Sequence, residues 1–83
     1  MTVTVKYFAS IREAIGCAAE AVETDALTLG ELRDELVARG GAYADSLARG
    51  RAVRMAVDQV MGVDTAALRD GAEVAFFPPV TGG

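Results

Sequence analysis

Hydrophobic and polar residues alternate strictly over residues 2–8 (TVTVKYF), with Val3, Val5 and Tyr7 on one side. An alternation of period two predicts a β-strand that buries one face. Phe8 falls on the opposite side, which otherwise holds threonine and lysine. The polar side of the predicted strand therefore ends in an aromatic ring.

The next two segments extend this pattern into a hairpin-like unit. Residues 9–16 (ASIREAIG) predict a short helical turn or loop that closes at Gly16. Residues 18–24 (AAEAVET) predict a second strand, which can pair back on the first in the antiparallel direction.

The clearest helical pattern covers residues 28–41 (TLGELRDELVARGG). Thr28 and Glu31 have the spacing of a capping box, in which the two side chains satisfy backbone N–H groups at the start of a helix. Gly40 and Gly41 are typical of a helix end. The apolar stripe predicted to face the core consists of Leu29, Leu32, Leu36 and Val37.

Two further segments predict strands. Residues 52–60 (AVRMAVDQV) alternate, with Val53, Met55 and Val57 on one side. Residues 73–77 (EVAFF) predict the last strand. If Val74 and Phe76 face the core, the side chains of Ala75 and Phe77 face solvent.

This order, two strands, one main helix and two strands, predicts an α+β fold of the β-grasp (ubiquitin-like) type, a roll in which a mixed sheet packs on one main helix. We expect residues 1–77 to form the domain and residues 78–83 to form an extended, flexible C-terminal Gly-Gly tail. Proline ends sheet pairing at the boundary because it has no backbone donor.

Composition excludes several classes of function. The 83 residues include no histidine and only one cysteine, Cys17, so we expect no metal site and no internal disulfide. The net charge of −4 argues against nucleic acid as a partner, and Arg49, Arg51 and Arg54 are interpreted as solvating charges. There is no apolar run of about 20 residues and no signal-peptide pattern, so we expect a cytoplasmic protein with no membrane partner.

The sequence ends FFPPVTGG, with no charged residue after Glu73. Pro78 and Pro79 favour an extended backbone, and the small residues after them suit a narrow channel in another protein. The chemical handle of this segment is the α-carboxylate of Gly83, which is a poor electrophile until it is activated, for example as a mixed anhydride with AMP. The chain has no phosphate-binding loop and no histidine-assisted nucleophile, so the activating enzyme must be another protein.

Three segments, VKYFASIREAIG, AVDQ and LRDGAEVAFFPPVTGG, resemble the MoaD-type family, the sulfur-carrier small subunits of molybdopterin synthase. The resemblance extends over nearly the whole chain, and the closing segment is its most specific part. Two positions depart from the family pattern: Asp58 stands where Asn is frequent, and Ala72 stands where Asp is frequent.

The resemblance implies that Gly83 is adenylated by an E1-like enzyme that uses ATP, and is then converted to a thiocarboxylate with sulfur from a donor such as a cysteine desulfurase. The thiocarboxylate gives its sulfur to cyclic pyranopterin monophosphate to make molybdopterin. The chain docks on the large subunit of molybdopterin synthase in a heterotetramer with two copies of each. It binds no cofactor itself and is not catalytic alone, because the catalytic side chains belong to the large subunit.

The resemblance also implies which residues meet these partners. The partner-binding surface would hold Phe8, Arg12, Met61 and Phe77, and the tail that enters the large subunit would consist of Pro78, Pro79, Val80, Thr81, Gly82 and Gly83.

Alternative functions remain open at this point. A thiamine-pathway sulfur carrier has the same fold and also ends in Gly-Gly, although its tail usually lacks the Phe-Phe-Pro-Pro signature. A ubiquitin-like modifier would be attached through Gly83 to lysines of target proteins. A plain interaction domain would use no chemistry at Gly83.

Overall fold

The computed structural model describes residues 1–79, which form one sheet covered by helices. The sheet has the order β2-β1-β5-β3-β4, with β1 parallel to β5 and the other neighbours antiparallel. This mixed sheet confirms the predicted α+β roll. The elements are β1 (Thr2–Tyr7), α1 (Ala9–Ile15), β2 (Ala19–Glu23), α2 (Leu29–Val37), α3 (Gly41–Leu47), β3 (Arg54–Val57), β4 (Val60–Gly62) and β5 (Glu73–Phe77).

The two central strands, β1 and β5, bury the side chains that the alternation predicted. Val3, Val5 and Tyr7 of β1 are almost fully buried, and so are Val74 and Phe76 of β5. Each of these apolar side chains contributes roughly 1.5–3 kcal/mol on leaving water. The other side of both strands faces away from the helices and stays accessible to solvent.

The main helix, α2, begins and packs as its sequence predicts. The Thr28 side chain accepts a hydrogen bond from the backbone N–H of Glu31 at 3.2 Å, which is one half of the capping box. Leu29, Leu32 and Leu36 are buried against the sheet, while Val37 is only partly buried. The helix ends at Val37, earlier than expected, and α3 begins at Gly41.

The predicted strand over residues 52–60 is wrong, because the structure divides it into β3 and β4. Asp58 and Gln59 lie between them with φ of 51° and 69°, as a two-residue type I′ hairpin turn requires. The Asp58 carboxylate accepts a hydrogen bond from the Glu73 N–H at 3.0 Å, which anchors the turn to β5. Asp58 and Gln59 interrupt the alternation with only two polar residues, and neither is glycine or proline, so the pattern alone does not reveal the turn.

A buried arginine joins α2 to the segment after α3. The Arg33 guanidinium donates to the backbone carbonyl of Leu47 at 2.6 Å, of Ala48 at 2.8 Å and of Arg51 at 3.2 Å. The buried guanidinium therefore has hydrogen-bond acceptors. Two of them are carbonyls at the C-terminal end of α3, which have no partner within the helix.

A second polar contact joins β1, β2 and α3 through Glu20. Its carboxylate accepts hydrogen bonds from the hydroxyl groups of Tyr7 at 2.8 Å and Tyr43 at 2.7 Å, and it forms an ion pair with Arg39 at 3.0 Å. Partial burial raises the pKa of Glu20, but the hydrogen bonds from Tyr43, Arg39 and Tyr7 together outweigh this and hold the pKa below its ordinary value.

Within residues 1–79, no helix has the length and apolar character needed to cross a membrane.

Candidate functional site

The most exposed aromatic cluster lies where β1 and β5 end. Tyr7 and Phe76 are partners in the parallel ladder, so the residues that follow them, Phe8 and Phe77, also lie side by side. Their rings are 6.5 Å apart between centroids and meet edge to face at 87°. Phe8 is 44% exposed, and Phe77 is partly buried. Both rings are on the solvent side, as the alternation predicted.

An open apolar groove surrounds this aromatic pair. The small side chain of Ala75, two residues before Phe77 on the same face of β5, leaves space beside the rings. Pro78 and Pro79, which also line the groove, have no backbone N–H to donate. A contiguous exposed apolar surface of this kind is typical of a docking site. We call this the aromatic groove; it is lined by Phe8, Ala9, Ala75, Phe77, Pro78 and Pro79.

Met61 is on the same face of the sheet but does not reach the aromatic pair. It pairs with Ala56 of β3, and Ala56 pairs with Ala75 of β5, so one whole strand separates Met61 from Phe77. The Met61 side chain is 56% exposed. It lines a second groove together with Arg54 and Pro79, and Pro79 thus lies between the two grooves.

Arg12 is near the aromatic pair along the chain but lies outside both grooves. Its backbone N–H donates to the carbonyl of Phe8 at 3.3 Å, within the first turn of α1. Its side chain is exposed and forms no ion pair with any residue that the structure describes. The structure therefore brings Phe8 and Phe77 together, and leaves Arg12 and Met61 outside the aromatic groove.

The chain leaves the sheet between the two grooves. Phe77 is the last residue of β5 and pairs with Arg54 of β3. Pro78 and Pro79 follow it and contribute to the groove walls. The remaining predicted tail residues, Val80, Thr81, Gly82 and Gly83, lie outside the described residues, so the predicted tail conformation stays a prediction.

Two charged residues of this surface were missed as site residues. Arg54 was interpreted as a solvating charge, yet it stands directly across from Phe77. Lys6 is on the solvent side of β1, and its ammonium lies 3.0 Å from the carboxylate of Glu73. Their place in the site depends on strand register, which the sequence pattern alone does not supply.

The described residues contain no group of three or more His, Cys, Asp or Glu side chains placed to hold a metal ion. The Cys17 thiol lies 3.9 Å from the Glu20 carboxylate. Burial and the negative charge of Glu20 raise the pKa of the Cys17 thiol, which disfavours the thiolate that nucleophilic chemistry needs.

Comparison with known proteins identifies relatives over nearly the full length. The model of the ThiS family matches residues 5–83. The chain is 41% identical over 81 residues to the molybdopterin synthase sulfur carrier subunit of Escherichia coli, covering 98% of this chain and 99% of that protein. It is 39% identical over 79 residues to the protein of the same name from Haemophilus influenzae, covering 95% and 96%.

Solved structures share the same fold. Small archaeal modifier protein 1 from Haloferax volcanii superposes with a TM-score of 0.78 at 25% identity, over 95% of this chain and 98% of that one. A putative molybdopterin converting factor subunit 1 from Pyrococcus furiosus gives 0.79 at 28% identity, over 96% and 99%. A chain in the complex of subunits 1 and 2 of molybdopterin-converting factor from Helicobacter pylori gives 0.69 at 26% identity, over 100% of both.

Proposed function

The chain belongs to the ThiS family, and we propose that within it this protein is a molybdopterin synthase sulfur carrier subunit. Two relatives at about 40% identity over nearly the whole chain have that name. The structural observation that supports the proposal is the place where the chain leaves the sheet. β5 ends at Phe77, and Pro78 and Pro79 lead away beside an exposed aromatic pair.

The proposed chemistry takes place at the carboxylate of Gly83. One carboxylate oxygen attacks the α-phosphorus of ATP on an E1-like enzyme, and pyrophosphate leaves. The terminal sulfur of a persulfide, from a donor such as a cysteine desulfurase, then displaces AMP and forms an acyl disulfide. A thiol of the partner enzymes attacks the donor's sulfur atom in that disulfide, so a new disulfide forms among the partners and the thiocarboxylate is released. Activation is necessary because an ionised carboxylate is a poor electrophile. The groups that promote these steps belong to the partner enzymes, because the chain has no histidine and its one thiol lies beside the Glu20 carboxylate.

The proposed role of the aromatic groove is to seat the partner proteins. Aromatic rings bury a large area at small entropic cost and are frequent at the centres of interfaces. Two exposed arginines, Arg12 four residues after Phe8 and Arg54 across from Phe77, favour partners with an acidic rim. The Helicobacter pylori structure, a complex of subunit 1 with subunit 2, supports the molybdopterin synthase large subunit as such a partner, and we extend this to a heterotetramer with two copies of each.

The decisive experiment is intact-mass spectrometry of the chain after incubation with the adenylating enzyme, ATP and a sulfur donor. We expect the mass gain of one sulfur replacing one oxygen, located at Gly83. Adding the large subunit and the pterin precursor then restores the original mass. A chain that lacks Gly83 is the matched control and gains nothing. If the thiocarboxylate at Gly83 gives its sulfur only to thiamine-pathway enzymes, the chain is instead a thiamine-pathway carrier.

Docking is tested separately by titrating the large subunit with Phe77→Ser and Phe8→Ser. We expect each substitution to weaken binding by about 30-fold or more, the effect of an interface hot spot. Leu27→Ser is the matched control, because Leu27 is 68% exposed and lies outside both grooves. Equal affinities for all four proteins would contradict the proposed docking surface.

A second candidate function is protein modification through Gly83. The similarity to small archaeal modifier protein 1 favours it, and the same activated carboxyl group serves both functions. Covalent adducts between Gly83 and lysines of other proteins, found by peptide mapping of cell extracts, would establish it. The absence of such adducts, with a thiocarboxylate present, leaves sulfur transfer as the function.

A further inference from the structure

Lys6 is the only lysine in the sequence, and seven arginines supply the other positive side chains. Its side chain is 42% exposed. Guanidinium groups stay protonated in proteins and do not react as amines. The N-terminal amine of Met1 is engaged by the carbonyl of Thr24 at 3.1 Å. The ε-amine of Lys6 pairs with the carboxylate of Glu73 at 3.0 Å, but both side chains are accessible to solvent. It is therefore the side-chain amine at which an activated acyl group can form an amide.

The cross-strand neighbours of Lys6 leave its side chain accessible to an acyl donor. It pairs with Ala19 of β2 on one side and with Ala75 of β5 on the other. Neither alanine is large enough to cover the lysine stem. Ala75 also lines the aromatic groove, and Phe8 stands two residues after Lys6. Lys6 thus borders the proposed docking surface directly.

Three other nucleophilic side chains near this end of the sheet contact Glu20. The hydroxyl groups of Tyr7 and Tyr43 both donate to Glu20, and the Cys17 thiol lies beside the same carboxylate. Burial and the hydrogen bond to Glu20 raise the pKa of Tyr7. These groups are poor competitors of Lys6 for an acyl group.

We infer that Lys6 is the acylation site of this chain, and that an acyl group at Lys6 closes the docking surface to the large subunit. The docking half of this inference rests on the proposed function. The ammonium of Lys6 releases one proton to solvent, and the free amine attacks the carbonyl carbon of an activated acyl group and loses a second proton to solvent. An amide C–N bond forms, and the bond from the carbonyl carbon to AMP, phosphate or a thiol breaks, with its electron pair on the leaving group.

Acylation changes the charge of the surface as well as its shape. The ammonium becomes a neutral amide, so the carboxylate of Glu73, which it now pairs at 3.0 Å, loses its counter-ion. A partner that covers this face would then bury an unpaired carboxylate, which disfavours binding. The acyl group also lengthens a side chain on a residue that pairs with Ala75, which lines the aromatic groove.

Two sources supply an activated acyl group, and peptide mapping distinguishes them. The chain is purified from its own cells and cleaved after arginine, which releases residues 70–83 as one peptide. An acetyl or similar small mass on Lys6 identifies a small acyl phosphate or thioester as the donor. Residues 70–83 joined through Gly83 to Lys6 identify a second copy of the chain. Lys6 free of acyl groups in every growth condition would overturn the inference.

The effect on docking is measured with purified protein treated with acetyl phosphate. We expect treated wild-type protein to bind the large subunit about tenfold or more weakly than untreated protein. Lys6→Arg is the control, and treatment is expected to leave its own affinity unchanged. If untreated wild type does not bind, the proposed function fails. If it binds and treatment of Lys6 has no effect, only the present inference is overturned.

Discussion

Replacing Glu20 with glutamine tests the contact that joins β1, β2 and α3. The carboxylate accepts from three donors, namely Tyr7, Tyr43 and Arg39. The amide of glutamine has only one acceptor oxygen, so at least one donor faces an NH₂ group. An unsatisfied donor costs about 1–3 kcal/mol, and the surviving bonds also lose the assistance of the charge, so we expect a loss of about 2–3 kcal/mol.

The pH dependence identifies the carboxylate as the cause. The pKa of Glu20 is lowered in the folded protein, so its stabilisation is fully present above the unfolded pKa of about 4.3 and disappears as pH falls through the folded pKa. Glutamine does not titrate. The difference in unfolding free energy between wild type and Glu20→Gln is therefore constant between about pH 6 and pH 8 and narrows below about pH 4.

Urea unfolding followed by circular dichroism measures both quantities. In thermal unfolding at neutral pH we expect the melting temperature of Glu20→Gln to fall by roughly 8–24 °C, from about 4–8 °C per kcal/mol in a domain of this size. Glu13→Gln, an exposed position on α1, is the matched control and is expected to change stability by less than about 0.5 kcal/mol. A Glu20→Gln loss as small as that of the control, or one independent of pH, would refute the reasoning.

Three further substitutions test other contacts by urea unfolding. Arg33→Met removes three hydrogen bonds to backbone carbonyls, of which the one to Leu47 is buried, and is expected to cost about 2–4 kcal/mol. Exposed Arg69→Met is expected to cost less than about 0.5 kcal/mol, and equal losses would contradict the role of Arg33. Thr28→Ala removes the cap of α2 and is expected to cost about 1 kcal/mol; an unchanged midpoint would rule out a stabilising cap. Asp58→Asn keeps an acceptor for the Glu73 N–H and suits φ of 51°, so we expect stability to be equal or slightly higher, and a clear loss would show that the charge is needed.

The sequence pattern predicted those elements whose residues follow one local period. The alternation of Val3, Val5 and Tyr7 identified the buried side of β1, and the Thr28 cap identified the start of α2. The pattern failed over residues 52–60, because only two polar residues, both with positive φ, separate the apolar residues of β3 from those of β4. Backbone conformation at a turn without glycine or proline leaves little trace in hydrophobicity.

Local periodicity also predicted part of the candidate site. Parity along each strand placed Phe8 and Phe77 on the solvent side, and the structure brings their rings within 6.5 Å. Met61 was assigned to the same surface, but β3 separates it from the aromatic pair. Arg54 was missed because its position across from Phe77 depends on how β3 and β5 align.

The sequence by itself determined which face of each strand and helix is apolar, and which segment ends in small residues and glycine. These are local properties, because side chains repeat every two residues in a strand and every 3.6 in a helix. The tertiary structure alone decided the strand order, the register and the partners of Glu20, which lie 13, 19 and 23 positions away along the chain. Such contacts depend on how whole elements pack, since each forms only after the distant elements have been brought together.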